Sequence, residues 1–260
     1  MSNYPFTSAL ITGASSGIGD AMAHSLGRAG VPTILVARRE DRLRALAETY
    51  DRFEVLTADL NNPDDLARVE ARIASEQKPV ELVVNNAGFG SSGRFDELDP
   101  DRLDSEIGLN IGALTRLSHA AIKTMRPRGK GYLLNVSSVA GFQPAPRLAV
   151  YAATKAYVLS LSESLHEECR GSGVHVTALC PGLTKTEFQS VSSSESYEST
   201  YPSFAWLKVE DVAAAGLNDV AKGRAVSVPG ALYKGMMLAS SLTPRGVARR
   251  LSSLAQRGSD

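Results

Sequence analysis

The sequence predicts a doubly wound α/β fold, a seven-stranded parallel sheet with helices on both faces. Three observations point there: seven short apolar runs recur from end to end, segments of helical periodicity separate them, and a glycine-rich turn directly follows the first run. The runs span 8–12, 33–37, 53–57, 81–85, 131–136, 174–179 and 225–228. Each is continuously apolar rather than alternating, as expected of strands covered on both faces. Strand–helix alternation repeated this often implies right-handed crossovers within one sheet. Residues 1–260 read as a single domain, with no internal repeat and no domain-scale linker.

The intervening segments carry helix signals of their own. Leu43, Leu46, Ala47 and Tyr50 recur at helical spacing. Asn62-Pro63-Asp64-Asp65 reads as a helix start, with proline in the first turn and acids at the positive end. Leu103, Ile107, Leu114, Leu117 and Ala121 form one apolar stripe, and Asn110 occupies the missing position within it. An amide there must find partners or cost about 1–3 kcal/mol, so the plain expectation is a satisfied core asparagine.

Two stretches depart from the rhythm. Residues 187–204 are serine-rich and without a clear period, which fits either a floppy insertion or a substrate lid; their position after a strand's carboxyl end favours the lid. Residues 230–260 form a basic tail, with Lys234, Arg245, Arg249, Arg250 and Arg257 among Met236, Met237, Leu238, Leu242, Val247, Leu251 and Leu254. Packing on the domain, on a partner subunit or on a membrane surface all fit that pattern.

Bulk properties exclude several classes. Lys and Arg total 28 and Asp and Glu total 28, a balance that gives no general grip on nucleic acid. Cys169 and Cys180 are too few for a disulfide scaffold and fit a reducing compartment. The start of the chain lacks the charged and apolar regions of a signal peptide, and no run reaches the ~18 apolar residues of a membrane span. A cytoplasmic protein is expected, and the Asn135 sequon is expected to be unused. His24, His119, His166 and His175 stand in no hydrolase setting. Paired metal-ligand spacing is absent too; His-Glu-Glu-Cys at 166–169 reads as a solvated helix face.

The chemistry gathers at strand ends. Thr12-Gly-Ala-Ser-Ser-Gly-Ile-Gly19 opens a helix after the first strand, and Gly13, Gly17 and Gly19 allow a tight turn and close approach of a pyrophosphate. The spacing is GxxxGxG, distinct from the better-known GxGxxG. Arg38 and Arg39 end the second strand, where a carboxylate would accept from an adenosine ribose and guanidinium would bind a 2′-phosphate. Two solvated arginines before Glu40 and Asp41 are the competing interpretation. Ala58-Asp59-Leu60 and Asn85-Asn86-Ala87-Gly88 close the third and fourth strands, where an open α/β sheet forms its ligand crevice. Ser137 and Ser138 close the fifth, and a loop can return the helix bearing Tyr151 and Lys155 beside them. Tyr151 and Lys155, four residues apart, share a helix face. A serine hydroxyl can hold a carbonyl oxygen while a tyrosine protonates it, given a nearby positive charge to lower a phenol pKa near ~10.

In this order, TGASSGIG, NNAG, Asn110, NVSS, YAATK and PGLTKTEF (181–188) resemble the short-chain dehydrogenase/reductase family over about residues 7–230. The resemblance implies a Rossmann-type oxidoreductase interconverting a carbonyl and an alcohol with NADP(H). It implies a catalytic set of Asn110, Ser138, Tyr151 and Lys155. Tyr151 would be the general acid/base, Ser138 the substrate-oxygen ligand and Lys155 the group that lowers the phenol pKa and holds the nicotinamide ribose. Asn110 would hold a relay water. On the cofactor it implies Gly13, Ser15, Ser16, Gly17, Ile18 and Gly19 at the pyrophosphate side and Arg38 and Arg39 at the 2′-phosphate. Asp59 and Leu60 would meet the adenine, and Asn86, Ala87 and Gly88 the adenosine side. Pro181, Gly182, Thr184 and Thr186 would meet the carboxamide. Ser16 stands where some NADP(H)-dependent members carry a basic residue. A homodimer or homotetramer is the family expectation.

A non-catalytic NADP(H)-binding sensor on the same fold is the alternative from another class; it has no need of Ser138, Tyr151 and Lys155 together. An extended-family epimerase would need a larger C-terminal domain. Phe89, Phe142, Phe188, Tyr197, Tyr201, Phe204 and Trp206 are available to line an apolar pocket, which favours a hydrophobic ketone, aldehyde, 3-oxoacyl thioester or steroid.

Overall fold

Each apolar run becomes a strand: β1 (Ala9–Thr12), β2 (Thr33–Ala37), β3 (Phe53–Thr57), β4 (Leu82–Asn85), β5 (Gly131–Val136), β6 (Val174–Leu179) and β7 (Val226–Ser227). A computed structural model describes residues 4–192 and 201–242 of the protein. The strands form one seven-stranded sheet in the order β3-β2-β1-β4-β5-β6-β7, and every pair is parallel. In the central register Leu10 lies opposite both Ile34 and Val83. Strand order reverses between β1 and β4, so the crossovers leave a crevice at the carboxyl ends of those two strands.

Side chains alternate between two cores, one on each face. Ala9, Ile11, Leu35, Leu82, Val84 and Leu134 meet Met22 and Leu26 of α1 (Gly17–Arg28) and Leu217 and Val220 of α8 (Val209–Ala221). Leu10, Ile34, Val36, Val83 and Leu133 meet Leu66, Val69 and Ile73 of α3 (Pro63–Ile73) and Leu117, Ala121 and Met125 of α5 (Leu114–Arg128). This double burial is what the unbroken apolar runs encode. The remaining helices are α2 (Glu40–Thr49), α4 (Pro100–Ile107), α6 (Ala149–Glu168), the short α7 (Phe188–Val191) and α9 (Ala231–Leu242).

One sequence expectation is corrected between α4 and α5. The stripe from Leu103 to Ala121 does not lie on one α-helix, because residues Gly108–Ala113 form a π-helical turn. The wider turn absorbs an extra residue and shifts the phase of everything before it. Asn110, Leu114, Leu117 and Ala121 keep their inward face, whereas Ile107 turns outward at 42% exposure and Glu106 is buried in its place.

The 187–204 stretch is described in part. Its first part is ordered by α7, and Ser203–Ala205 form a 3-10 turn; residues 193–200, including Tyr197, lie outside the described residues. The tail begins as α9, with Tyr233 buried and Met237 packed beside Val226 and Val228, so its described part packs on the sheet. Arg245, Val247, Arg249, Arg250, Leu251, Leu254 and Arg257 lie outside the described residues. No described helix is long and apolar enough to cross a membrane.

Asn135 is fully buried in β5, where its amide donates to Ser162 Oγ at 3.0 Å and its Oδ1 accepts from Asn85 at 2.9 Å. Cys169 is buried rather than on a solvated face, while His166 Nδ1 pairs with the Val176 carbonyl at 2.8 Å. At the start of α3, Asn62 Oδ1 accepts from the N–H groups of Asp64 and Asp65 at 2.9 and 3.2 Å. Replacing Asn62 by Ala removes that cap, and the expected cost of about 1 kcal/mol lowers the melting temperature by about 2–4 °C. An unchanged thermal midpoint would show that the cap contributes nothing.

Candidate active site

The crevice is built around Thr12, the last residue of β1. Its hydroxyl accepts the N–H groups of Asn86 and Ala87, both at 3.0 Å, and donates to the Val84 carbonyl at 3.3 Å. Asn86 Nδ2 returns across the gap to the carbonyls of Thr12 and Gly13 at 3.0 and 3.2 Å. The Asn86 side chain is therefore a staple between two strand ends, and its role at this site is to hold the turn. Gly13 and Gly17 adopt positive φ of 66° and 59°. A Cβ at Gly13 would stand 2.8 Å from Asn86 Nδ2, and one at Gly19 would run into the Gly13 carbonyl oxygen. This turn admits only bare backbone, and it presents the start of α1 to the crevice, the arrangement that suits a pyrophosphate. Ile18 lines the crevice beside it.

The two arginines at the end of β2 differ. Arg38 is exposed at the cavity rim. Arg39 folds back on the glycine turn: its Nη2 donates to Ser15 Oγ and Ser16 Oγ at 3.0 and 2.8 Å, and its Nε to Ser15 Oγ at 3.2 Å. The remaining arm, Nη1, meets Glu187 Oε2 at 2.7 Å, and Arg42 meets the other carboxylate oxygen at 2.5 Å. Those two guanidiniums hold the Glu187 carboxyl at about 2, far below the usual carboxylate range. Asp59 and Leu60 line the same end of the cavity, and the Asp59 N–H is held by Asp65 at 2.8 Å.

At the other end, β5 delivers Ser138 and α6 delivers Tyr151 and Lys155. Ser137 Oγ donates to the Lys155 carbonyl at 2.7 Å, and Lys155 Nζ donates to the Val136 carbonyl at 2.9 Å, so the strand end and the helix are tied both ways. Lys155 Nζ lies 5.6 Å from the centroid of the Tyr151 ring. A Cβ at Gly88 would stand 2.8 Å from Asn110 Oδ1 and 3.5 Å from Lys155 Nζ, which puts the asparagine, the lysine and the β4 loop in one small volume.

The electrostatics differ from the sequence expectation. Burial pushes the Tyr151 phenol up to about 12, against the pull of a hydrogen bond to Ser138. Burial also pushes Lys155 down to about 8, with Cys180 and Glu106 acting the other way. Desolvation of the phenol outweighs the hydrogen bond to Ser138.

Asn110 lies in the π-helical turn, fully engaged by protein. Its Nδ2 donates to the Phe89 carbonyl at 2.8 Å and to Thr154 Oγ1 at 3.1 Å, while Oδ1 accepts from the Phe89 N–H at 3.2 Å. Both amide protons are committed, so the side chain holds the β4 loop against α6.

Pro181, Gly182, Thr184 and Thr186 follow β6 along the cavity wall, with Thr186 beside Gly17 and the Pro181 carbonyl accepting from the Val139 N–H at 3.0 Å. Thr184 Oγ1 donates to the Gly182 carbonyl at 3.0 Å. The whole cavity measures about 820 Å³. Phe89, Phe142, Phe188 and Tyr201 line it, together with Leu232, Met236 and Met237. Phe204 is instead 76% exposed, and it and Trp206 lie off the cavity wall. The Phe188 ring centroid lies 5.3 Å from that of Tyr151.

Three residues had no marker in the sequence strong enough to single them out. Thr12 precedes the glycines and reads as an ordinary strand end. Glu187 lies in the serine-rich stretch, far along the chain from its arginines. Glu106 belongs to the wrong face of a continuous helix; burial raises its carboxyl pKa, against the pull of Ser91, Arg102 and Lys155.

A doubly wound sheet with a bare glycine turn at one end of its crevice and a Ser–Tyr–Lys cluster at the other defines a nucleotide-dependent oxidoreductase. Residues 7–196 match the short chain dehydrogenase family, and the chain belongs to it; family members bind NAD(P). An uncharacterized oxidoreductase of Staphylococcus epidermidis is 34% identical over 182 residues, 68% of this chain and 78% of that protein. Among solved structures, a short-chain dehydrogenase from Sphingobium yanoikuyae in complex with NADPH is 35% identical with a TM-score of 0.83, covering 95% of this chain and 94% of that one. A bulky-bulky ketone specific alcohol dehydrogenase from Comamonas testosteroni is 32% identical with a TM-score of 0.75, covering 92% and 95%.

The buried lysine makes a prediction about folding. Its folded pKa of about 8 lies below the ordinary 10.5, so from about pH 8 to 10 the unfolded chain binds more protons and stability gained through Lys155 rises with pH. Above pH 10 the raised Tyr151 phenol acts in the opposite direction, since the unfolded chain loses that proton first. Urea midpoints of the wild type, measured against Lys155→Met, are expected to shift in favour of the wild type between about pH 8 and 10. A difference independent of pH would show that Lys155 titrates normally.

Proposed function

We propose that the protein is an NADP(H)-dependent oxidoreductase that interconverts a hydrophobic ketone or aldehyde and its alcohol, with Tyr151 as general acid/base. The observation that carries this reading is the convergence of Ser138, Tyr151 and Lys155 in the same cavity that the glycine turn opens, with Lys155 beside Gly88.

When bound, the dinucleotide supplies or accepts hydride. The chain's own residues do the rest. Gly13, Gly17 and Gly19 let the backbone approach the pyrophosphate, and the Ser15–Ser16–Arg39 cluster offers donors to a 2′-phosphate. Ser138 Oγ orients the substrate oxygen toward the phenol. Tyr151 delivers or removes the proton at that oxygen. Burial keeps the phenol protonated, the state from which it gives its proton in carbonyl reduction, and a positioned proton donor contributes about 10²–10⁴-fold to rate. Lys155, fixed on the Val136 carbonyl, supplies positive charge beneath the ring and donors toward the nicotinamide ribose. Asn110 acts as a positioning residue that holds Phe89 and Thr154 around the tyrosine. The aromatic and methionine lining, Phe89, Phe142, Phe188 and Tyr201 with Leu232, Met236 and Met237, supports a bulky apolar substrate over a small hydrophilic one. The ketone named for the Comamonas relative is of that class.

Tyr151→Phe is expected to lower kcat by about 10²–10⁴-fold or more while leaving NADPH affinity within severalfold. Near-normal turnover in that variant, followed as NADPH absorbance against a panel of hydrophobic carbonyls, sinks the assignment. A wild type that binds NADPH but turns over no carbonyl would instead favour a sensor. NADPH is also expected to bind about tenfold or more tightly than NADH, and Arg39→Leu to narrow the gap more than Arg38→Leu. Equal affinity of the unmodified chain for both dinucleotides refutes this preference.

A further inference from the structure

The Ser15–Ser16–Arg39–Arg42 cluster is shaped to receive an anion, and an anion of the chain's own already stands in it. Glu187 reaches across from the loop after β6 and places one carboxylate oxygen on Arg39 at 2.7 Å and the other on Arg42 at 2.5 Å. Arg42 Nη1 also approaches the Ser15 carbonyl at 3.5 Å, so both guanidiniums face the glycine turn. Ser15, Ser16, Arg39 and Glu187 all line the cavity. The carboxylate side chain is 41% exposed, so it can leave without breaking a buried contact. A phosphate monoester and a carboxylate compete for the same guanidinium geometry, and two anions on one receptor repel.

We infer that Glu187 is a specificity-determining residue, an intramolecular competitor that occupies the 2′-phosphate receptor and weakens binding of the phosphorylated dinucleotide relative to the unphosphorylated one. This rests on the proposed placement of the adenosine 2′-phosphate at Arg39. The unphosphorylated ribose brings no anion and leaves Glu187 on its arginines; the phosphorylated one must displace it. Displacement reaches the catalytic end, because the next residue, Phe188, lies against Tyr151 and Thr186 Oγ1 accepts the Phe188 N–H at 3.2 Å. Just past α7, Ser192 Oγ accepts the Gly90 N–H at 3.0 Å, joining the segment to the β4 loop. The intrinsic preference of the arginine cluster for phosphate is therefore larger than the preference the whole chain displays.

The test uses the full chain and two fragments that differ only in the group concerned, adenosine 2′,5′-bisphosphate and adenosine 5′-monophosphate, titrated calorimetrically. Glu187→Gln is expected to tighten the bisphosphate by about threefold to tenfold, the range set by two half-exposed ion pairs, and to leave the monophosphate within about twofold. Glu187→Asp, too short to span both guanidiniums, is expected to fall between the wild type and Glu187→Gln. An unchanged or weaker bisphosphate affinity in Glu187→Gln, or an equal gain for both fragments, overturns the inference. NADPH and NADH affinities of the unmodified chain test the underlying preference separately. Equal values there, with a bisphosphate-specific gain in Glu187→Gln, would remove the NADPH preference and keep the role of Glu187.

Discussion

Where β1 and β4 part, two neighbouring strands send their chains in different directions and their last peptide groups lose their ladder partners. Thr12 resolves this with one hydroxyl, accepting two N–H groups of the β4 loop and donating back to a β4 carbonyl. Buried peptide groups cannot be left unpaired without a cost of about 1–3 kcal/mol each, and this small polar knot pairs them at the floor of the crevice. The rest of the site depends on that knot. It sets how closely Gly13 and Ala87 approach, which places Gly88, and Gly88 in turn meets Asn110 and Lys155. A single hydroxyl thus couples the glycine-turn end of the cavity to the end with Ser138, Tyr151 and Lys155 through the β4 loop.

A second theme is the concentration of ionisable groups in a dry region. Tyr151, Lys155, Cys180 and Glu106 are buried, and burial is the first cause of shift for each of them. Cys180 is pushed up to about 12 and stays a thiol. Each of these shifts favours the uncharged form, so the region disfavours charge until a charged ligand changes its potential. By contrast Glu187, at the solvent-open end, is held ionised by its arginines. The cavity therefore has a polar, charge-tolerant end and an apolar, charge-averse one.

Much of this was legible in the sequence, for reasons that differ by level. Strand positions were readable because double burial demands unbroken apolar runs, and β2, β3, β5 and β6 begin and end where those runs do. Ser138, Tyr151 and Lys155 could be picked out because they stand at a strand's carboxyl end or one helical turn from a partner. Their states were not. The effect of Lys155 on Tyr151 was read from charge alone, whereas the phenol's pKa follows its desolvation, a property of packing that no spacing reports. Contacts across the chain were equally hidden: Arg39 and Glu187 are 148 residues apart. The same holds for Asn110, whose partners on Phe89 and Thr154 belong to separate elements.

The π-helical turn has a consequence for how the chain tolerates length changes. An α-helix advances about 100° per residue, so the extra residue in Gly108–Ala113 rotates α4 against α5 by about that angle. Deleting one residue there would let the two helices fuse into a continuous rod without breaking the backbone ladder. The rod would be regular and yet wrong, with Ile107 swung inward, Glu106 expelled to solvent and α4 lifted from α6.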